Sequence, residues 1–452
     1  MGTATATRAD VSRLFGRAAF GATEADLDAW TGKPYAAAVE SLLSIPATRA
    51  PAPDDAARIT LEQTGTGGGL GAFYLVPAQS WWLERMRTTQ YPLEERMTWF
   101  WHGHFATGPR EGFPDTQMLM AQNQTLRTHA IGNFREMAAA ITLDPAMLWW
   151  LDGTQSAPPQ PNENYAREFF ELFSLGKHPQ VYAERDVREA ARAFTGWVDD
   201  GYTRMPRFDA GRHDHGRKRI LGKTIGDLAD REYLAVIDIA LAQPVAPRFI
   251  AARLVNNFGY PVTTPDVLTD ADPLVRKVAS GLRAGDWDVG RAVRTMLLAP
   301  EFRYAPGQHA RQLLRSPVEV VVHACKALDV RADDQSLLDP LQRMGQVPFA
   351  PPNVGGWAGG KSWLSPATML GRYEAGLRVY STWAASVSQL RTPLPPSNDL
   401  AAWTKRLGLA GLSPATSTAL RRYLAARKGA SEQDRQTSIL TLLLASPEWT
   451  VM

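Results

Sequence analysis

The sequence predicts an all-α protein, or one nearly so: a multi-helix single globular unit with long irregular loops. Apolar residues recur at helical spacing along most of the 452 residues, and no stretch sustains the period-two alternation of β-branched residues that marks a half-buried strand. Helix-start signals punctuate the chain. With 44% hydrophobic and 21% charged residues, it has the composition of a chain that buries a core.

In chain order, helices are expected over 10–20, 24–30, 34–43, 77–87, 93–101, 115–130, 132–143 and 144–151. Several open on Asp or Pro. An Asp carboxylate caps free first-turn amides, and Pro lacks an amide that the first turn would leave unpaired. A short helix from Glu163 to Ser174 follows, then helices over 186–194, 231–242, 246–258, 273–284, 289–298, 317–328, 366–385, 414–426 and 434–444. Asp186 with Glu189, and Ser316 with Glu319, read as capping boxes. Stretches 45–56, 153–161 and 389–398 read as linkers or surface loops, and 202–223, without helical period, as a loop. The run 345–366 holds five glycines, four prolines and two tryptophans, which suits a packed functional loop. Within one compact unit, 1–152 forms an N-terminal subdomain, 153–390 a central region and 391–452 a C-terminal helical hairpin.

The helix opening at Glu163 concentrates polar groups. At 100° per residue, Glu163, Asn164, Arg167, Glu168, Glu171 and Ser174 share one arc of about 140°, with aromatics filling the rest. Such a face is either solvated or the wall of a site. As a wall, it offers Glu163, Glu168 and Glu171, with Asp214 from the 202–223 loop, as acid–base carboxylates. Asn164, Arg167 and Lys218 would hold a polar or anionic group, Trp357 and Trp363 would stack on it, and Arg372 completes the expected substrate contacts. His104 and His213 are the expected metal ligands, with Asp214 placed to orient a histidine. On a helix His102 and His104 point about 200° apart, so His104 alone faces the site unless Gly103 ends the helix.

The same segments resemble a large bacterial family, the domain of unknown function 1800 family. The resemblance is carried by Asn162 through Glu168 with Gly176, Asp186-Val187 and Ala191 through Trp197; by Phe100 through Phe105; by His213-Asp214 with Lys218 and Leu221-Gly222; by Ser316 through Glu319; and by Gly345-Gln346 through Pro352, Gly356-Trp357, Trp363 and Arg372. It covers the chain from about residue 10 to residue 450 and implies no particular chemistry.

Other features prune the field. Forty-nine basic and 46 acidic residues leave a net charge of +3, too near neutrality to imply nucleic acid. Cys325 is the single cysteine and sits in an apolar helical run, so neither an intrachain disulfide nor a thiolate zinc cage is possible. The glycine run 64–71 lacks the Lys-Ser/Thr of a P-loop, and no Gly-x-Ser-x-Gly elbow occurs. The start has no apolar signal region and no window nears eighteen apolar residues, so a cytoplasmic protein without membrane contact is expected. The expectation is an enzyme acting on a polar, carbohydrate-like or anionic small substrate by carboxylate and histidine chemistry, hydrolytic and assisted by a divalent metal. A metal- or haem-dependent oxidoreductase is the first alternative. A non-catalytic scaffold with a protein partner or a second copy of itself is the other.

Overall fold

The computed structural model describes residues 4–46, 75–110, 115–200, 205–262, 272–304, 313–386 and 392–452. It is built almost wholly of helices, and most lie where the apolar spacing places them: Glu24–Trp30, Pro273–Ala284, Val289–Leu298, Pro317–Leu328, Pro366–Ala385 and Pro414–Ala426 keep their expected bounds. Pro92–His104 runs a turn beyond its expected end. Among the described residues four further α-helices, Pro300–Tyr304, Leu338–Arg343, Leu400–Arg406 and Pro447–Thr450, are short and were not expected from the apolar spacing. The glycine run 64–71 lies outside the described residues.

Three expectations need correction. The 202–223 segment contributes to two antiparallel hairpins, Trp197–Asp199 with Pro206–Phe208 and Lys218–Ile220 with Lys223–Ile225, whose three-residue strands are too short to show alternation. The helix after the Pro-rich segment is α-helical only over Asn164–Glu168 and widens to a π turn over Phe169–Ser174, so residues beyond Glu168 rotate off the expected arc. A second π turn, Val255–Gly259, ends the helix Ala246–Leu254. Finally, Asp186 is not a helix cap. The helix Glu184–Ala193 starts after Ala183, and Asp186 in its first turn accepts the Ala183 amide at 2.9 Å and the Leu221 amide at 2.9 Å. The Ser316–Glu319 box is formed as expected.

The apolar interior forms two clusters. One joins the helices between residues 8 and 43 to those between 134 and 302; the other joins Leu75–Thr88 to Pro317–Leu328 and the helices beyond it. Pro92–His104 serves both, sending Leu93, Met97, Phe100 and Trp101 into the first and Trp99 into the second. The first helix, Arg8–Ala18, is tied to distant chain: Ser12 Oγ donates to the Gly408 carbonyl at 2.8 Å and Arg8 Nε to that of Leu409 at 3.3 Å. Gly408, at φ +64°, lies so close that a Cβ there would come within 1.8 Å of the Ala22 carbonyl oxygen. No single helix among the described residues is long and apolar enough to cross a membrane, and the one neighbouring pair that would be, Ala229–Leu241 with Ala246–Gly259, is bent by 80°.

Candidate functional site

Where the two clusters meet, a cavity of about 360 Å³ opens beside Pro92–His104. That helix contributes Arg96, Trp99, Phe100 and Gly103; the second π turn contributes Asn256 and Asn257, with Arg253 one turn before; Ser316 and Glu319 come from the capped helix start, and Gln346, Trp357 and Trp363 from the glycine-rich loop. The loop is pinned to both helices. Gln346 Oε1 accepts the Val318 amide at 3.1 Å, and the Trp357 ring lies 5.2 Å from that of Trp99. Gly356, at φ +72°, rests on the helix so closely that a Cβ would meet the Gly103 oxygen at 2.4 Å. A side chain there would lift the loop.

Positive charge dominates the electrostatics. Arg96 and Glu319 form a buried ion pair, and Glu319 Oε2 also accepts the Ser316 amide at 2.6 Å. Behind this pair Arg372 donates to the Arg315 carbonyl at 2.9 Å, and the Arg315 guanidinium lies 4.7 Å over the Trp449 ring. Burial pulls Arg96, Arg253, Arg315 and Arg372 below the usual arginine range; Glu319 opposes this for all of them except Arg253. Covered nitrogens of these four guanidiniums, together with Asn257 Oδ1, have no hydrogen-bond partner among the described residues. An unpaired buried charge is costly.

The expected residues divide between this cavity and other places. Trp357 and Trp363 line it, and Arg372 stands behind Arg315. The acidic helix does not line it. Its Arg167 forks onto Glu184 at 2.8 Å and holds Glu163 at 2.9 Å, Glu171 pairs with Lys177 at 3.1 Å, and Asn164 is exposed. This is a surface ion network rather than a catalytic wall. Glu168 differs: half-buried and without a hydrogen bond or ion pair among the described residues, its carboxyl is raised by burial and by Glu171.

Asp214 and Lys218 are also turned to other work. Asp214 takes a fork from Arg192 at 2.8 and 2.9 Å, and the fully buried Lys218 ammonium pairs with Glu232 at 2.6 Å, so neither faces the cavity. His104 and His213 do not form a metal pair. His104 is buried among six aromatic rings with its Nε2 3.0 Å from the Phe173 carbonyl, and burial with the Arg253 charge holds it neutral. His213 hydrogen-bonds the Thr195 carbonyl through Nδ1 at 2.9 Å, which gives it the orienting partner expected of Asp214. Among the described residues no histidine lines the cavity.

Arg96, Arg253, Asn256, Asn257 and Arg315 went unnoticed in the sequence. Arg96 carried a legible signal, since its spacing from Leu93 and Phe100 puts a guanidinium on the apolar face of a helix. Residues 13–451 match the model of the family described as Protein of unknown function (DUF1800). The chain belongs to this family. No curated protein and no solved structure matches it. In this DUF1800 chain, the motif segments around Gly103, Ser316, Gln346, Trp357 and Trp363 all reach one cavity.

Proposed function

We propose that the protein binds and hydrolyses a small anionic molecule with a sugar-like or aromatic face in the cavity between its two cores. The observation that carries this is the charge imbalance: Arg96 and Arg253 line the cavity and Arg315 and Arg372 stand behind it, against a single lining carboxylate, Glu319, among the described residues. A carboxylate or phosphate would pair Arg253, the lining guanidinium without a carboxylate partner among the described residues. Trp99, Trp357 and Trp363 give a flat ring surfaces to stack on, and the unpartnered Asn257 Oδ1 suits a hydroxyl donor. The volume fits a small ligand. Glu319 is the lining carboxylate that would move a proton on such a ligand, once the ligand's own negative charge takes over Arg96 and frees its Oε1.

Calorimetric titration with a hexuronic acid, its phosphate ester and the neutral parent sugar tests the reading. An anionic member should bind and the neutral sugar should not. Arg253→Gln should weaken binding by tenfold or more, the worth of a charged hydrogen bond of about 1.5–3 kcal/mol. Equal behaviour of charged and neutral sugars would sink the proposal, and silence from every anion would favour the scaffold. A second reading rests on Glu168, whose raised carboxyl suits a proton donor. Glu168→Gln should melt no lower than the parent while losing any hydrolase activity found; full activity would remove Glu168 from the chemistry.

A further inference from the structure

We propose that His213, His215 and Asp227 form a separate site that binds a divalent transition-metal cation of the zinc type. His213 and His215 stand on the turn leading into Lys218–Ile220, and Asp227 follows the partner strand Lys223–Ile225, so the second hairpin brings the three together. A ligand atom of each lies within 4.8 Å of those of the other two. Bonds of about 2.0–2.1 Å to a tetrahedral ion would bring ligand atoms to roughly 3.4 Å from one another. Little movement is needed. His213 is fixed in the interior, while the His215 and Asp227 side chains are 49% and 45% exposed.

The hydrogen bonds prepare both rings. His213 Nδ1 donates to the Thr195 carbonyl, which leaves Nε2 as the nitrogen that can meet an ion, covered and without a close hydrogen bond among the described residues. His215 Nε2 lies 2.9 Å from the Ala210 carbonyl and donates to it, which turns Nδ1 toward Asp227 Oδ2 at 2.8 Å. In each ring a backbone carbonyl holds the far nitrogen, the arrangement that orients metal-binding imidazoles. The buried Glu232 places Oε1 3.4 Å from His213 Nε2 as a further oxygen, its other oxygen being held by Lys218. Two imidazoles with carboxylate oxygens favour zinc and its neighbours over calcium or magnesium. Ion pairs of His215 with Asp227 and of His213 with Glu232 would account for each contact by itself, but not for the convergence of all three ligand atoms within 4.8 Å.

Equilibrium dialysis of chelator-treated protein against zinc tests the site. The parent should bind a single zinc ion per chain, and His129→Ala, a histidine outside the cluster, should match it. His215→Ala and Asp227→Asn, both at exposed positions and checked for folding by circular dichroism, should each bind at least tenfold more weakly. Zinc should raise the melting temperature of the parent and not of these two variants. Absence of stoichiometric zinc in the parent overturns the proposal, as does undiminished binding by the folded Asp227→Asn and His215→Ala proteins.

Discussion

Glu95 and Asp144 are both buried carboxyls, yet their surroundings drive them in opposite directions. Burial works to raise Glu95, but Arg127, Arg85 and the Trp82 indole, which donates at 2.6 Å, overcome it and hold the carboxyl at about 2. Burial raises Asp144 to about 7, offset only in part by the Met147 amide and Gln122. The stabilisation from ionised Glu95 is therefore complete above its unfolded value near 4.5 and is lost as pH falls toward 2, a swing of roughly 3 kcal/mol. Asp144 acts in the other sense: its protonated form suits the fold, so its contribution is complete below pH 3.8 and is lost as pH rises through 7. Urea denaturation across pH should accordingly find Glu95→Gln most harmful near neutrality and less so in acid. Asp144→Asn should gain on the parent as pH climbs from 4 to 8, by up to about 4 kcal/mol. A pH-independent difference for either variant would refute the assignment.

At the scale of the element, caps and cross-ties set which helix starts matter most. Ser316→Ala removes one side-chain acceptor and should cost about 1 kcal/mol. Asp186→Ala orphans two amides, that of Ala183 just before its own helix and that of Leu221 on the second hairpin, and should cost about twice that. A reversed order in chemical denaturation would show that the tie to Leu221 contributes nothing. Helices such as Val289–Leu298 were legible because their period survives over three turns, whereas the π turns were not, since one extra residue per turn leaves no mark in apolar spacing. The acidic helix was ambiguous for a related reason. A Glu163–Arg167 pair looks the same on a wet face and on a site wall, and what decides between them is Glu184, a partner from another helix. The composition of their loop singled out Trp357 and Trp363, which line the cavity. Arg253 and Asn257 were not, because only the fold carries their helix to the cavity.

Across the whole molecule, the Arg96–Glu319 pair spans the seam, joining the helix shared by both cores to the capped helix of the second. Glu319→Gln should cost about 3–5 kcal/mol by stranding a buried guanidinium, and Arg96→Met combined with Glu319→Leu should recover much of that loss. A double-mutant cycle by thermal denaturation would expose the pair as idle if the single variants melt with the parent. The tie between Arg8–Ala18 and Gly408-Leu409 has a consequence in time as well as in energy. A ribosome working at about 5–20 residues per second needs roughly 20–80 s to make the 401 residues that separate Arg8 from its partner carbonyl. Throughout that interval the first helix waits with Ala22 and its neighbours uncovered, so a newborn chain halted before Gly408 should be the form that chaperones hold and that clumps when they are scarce.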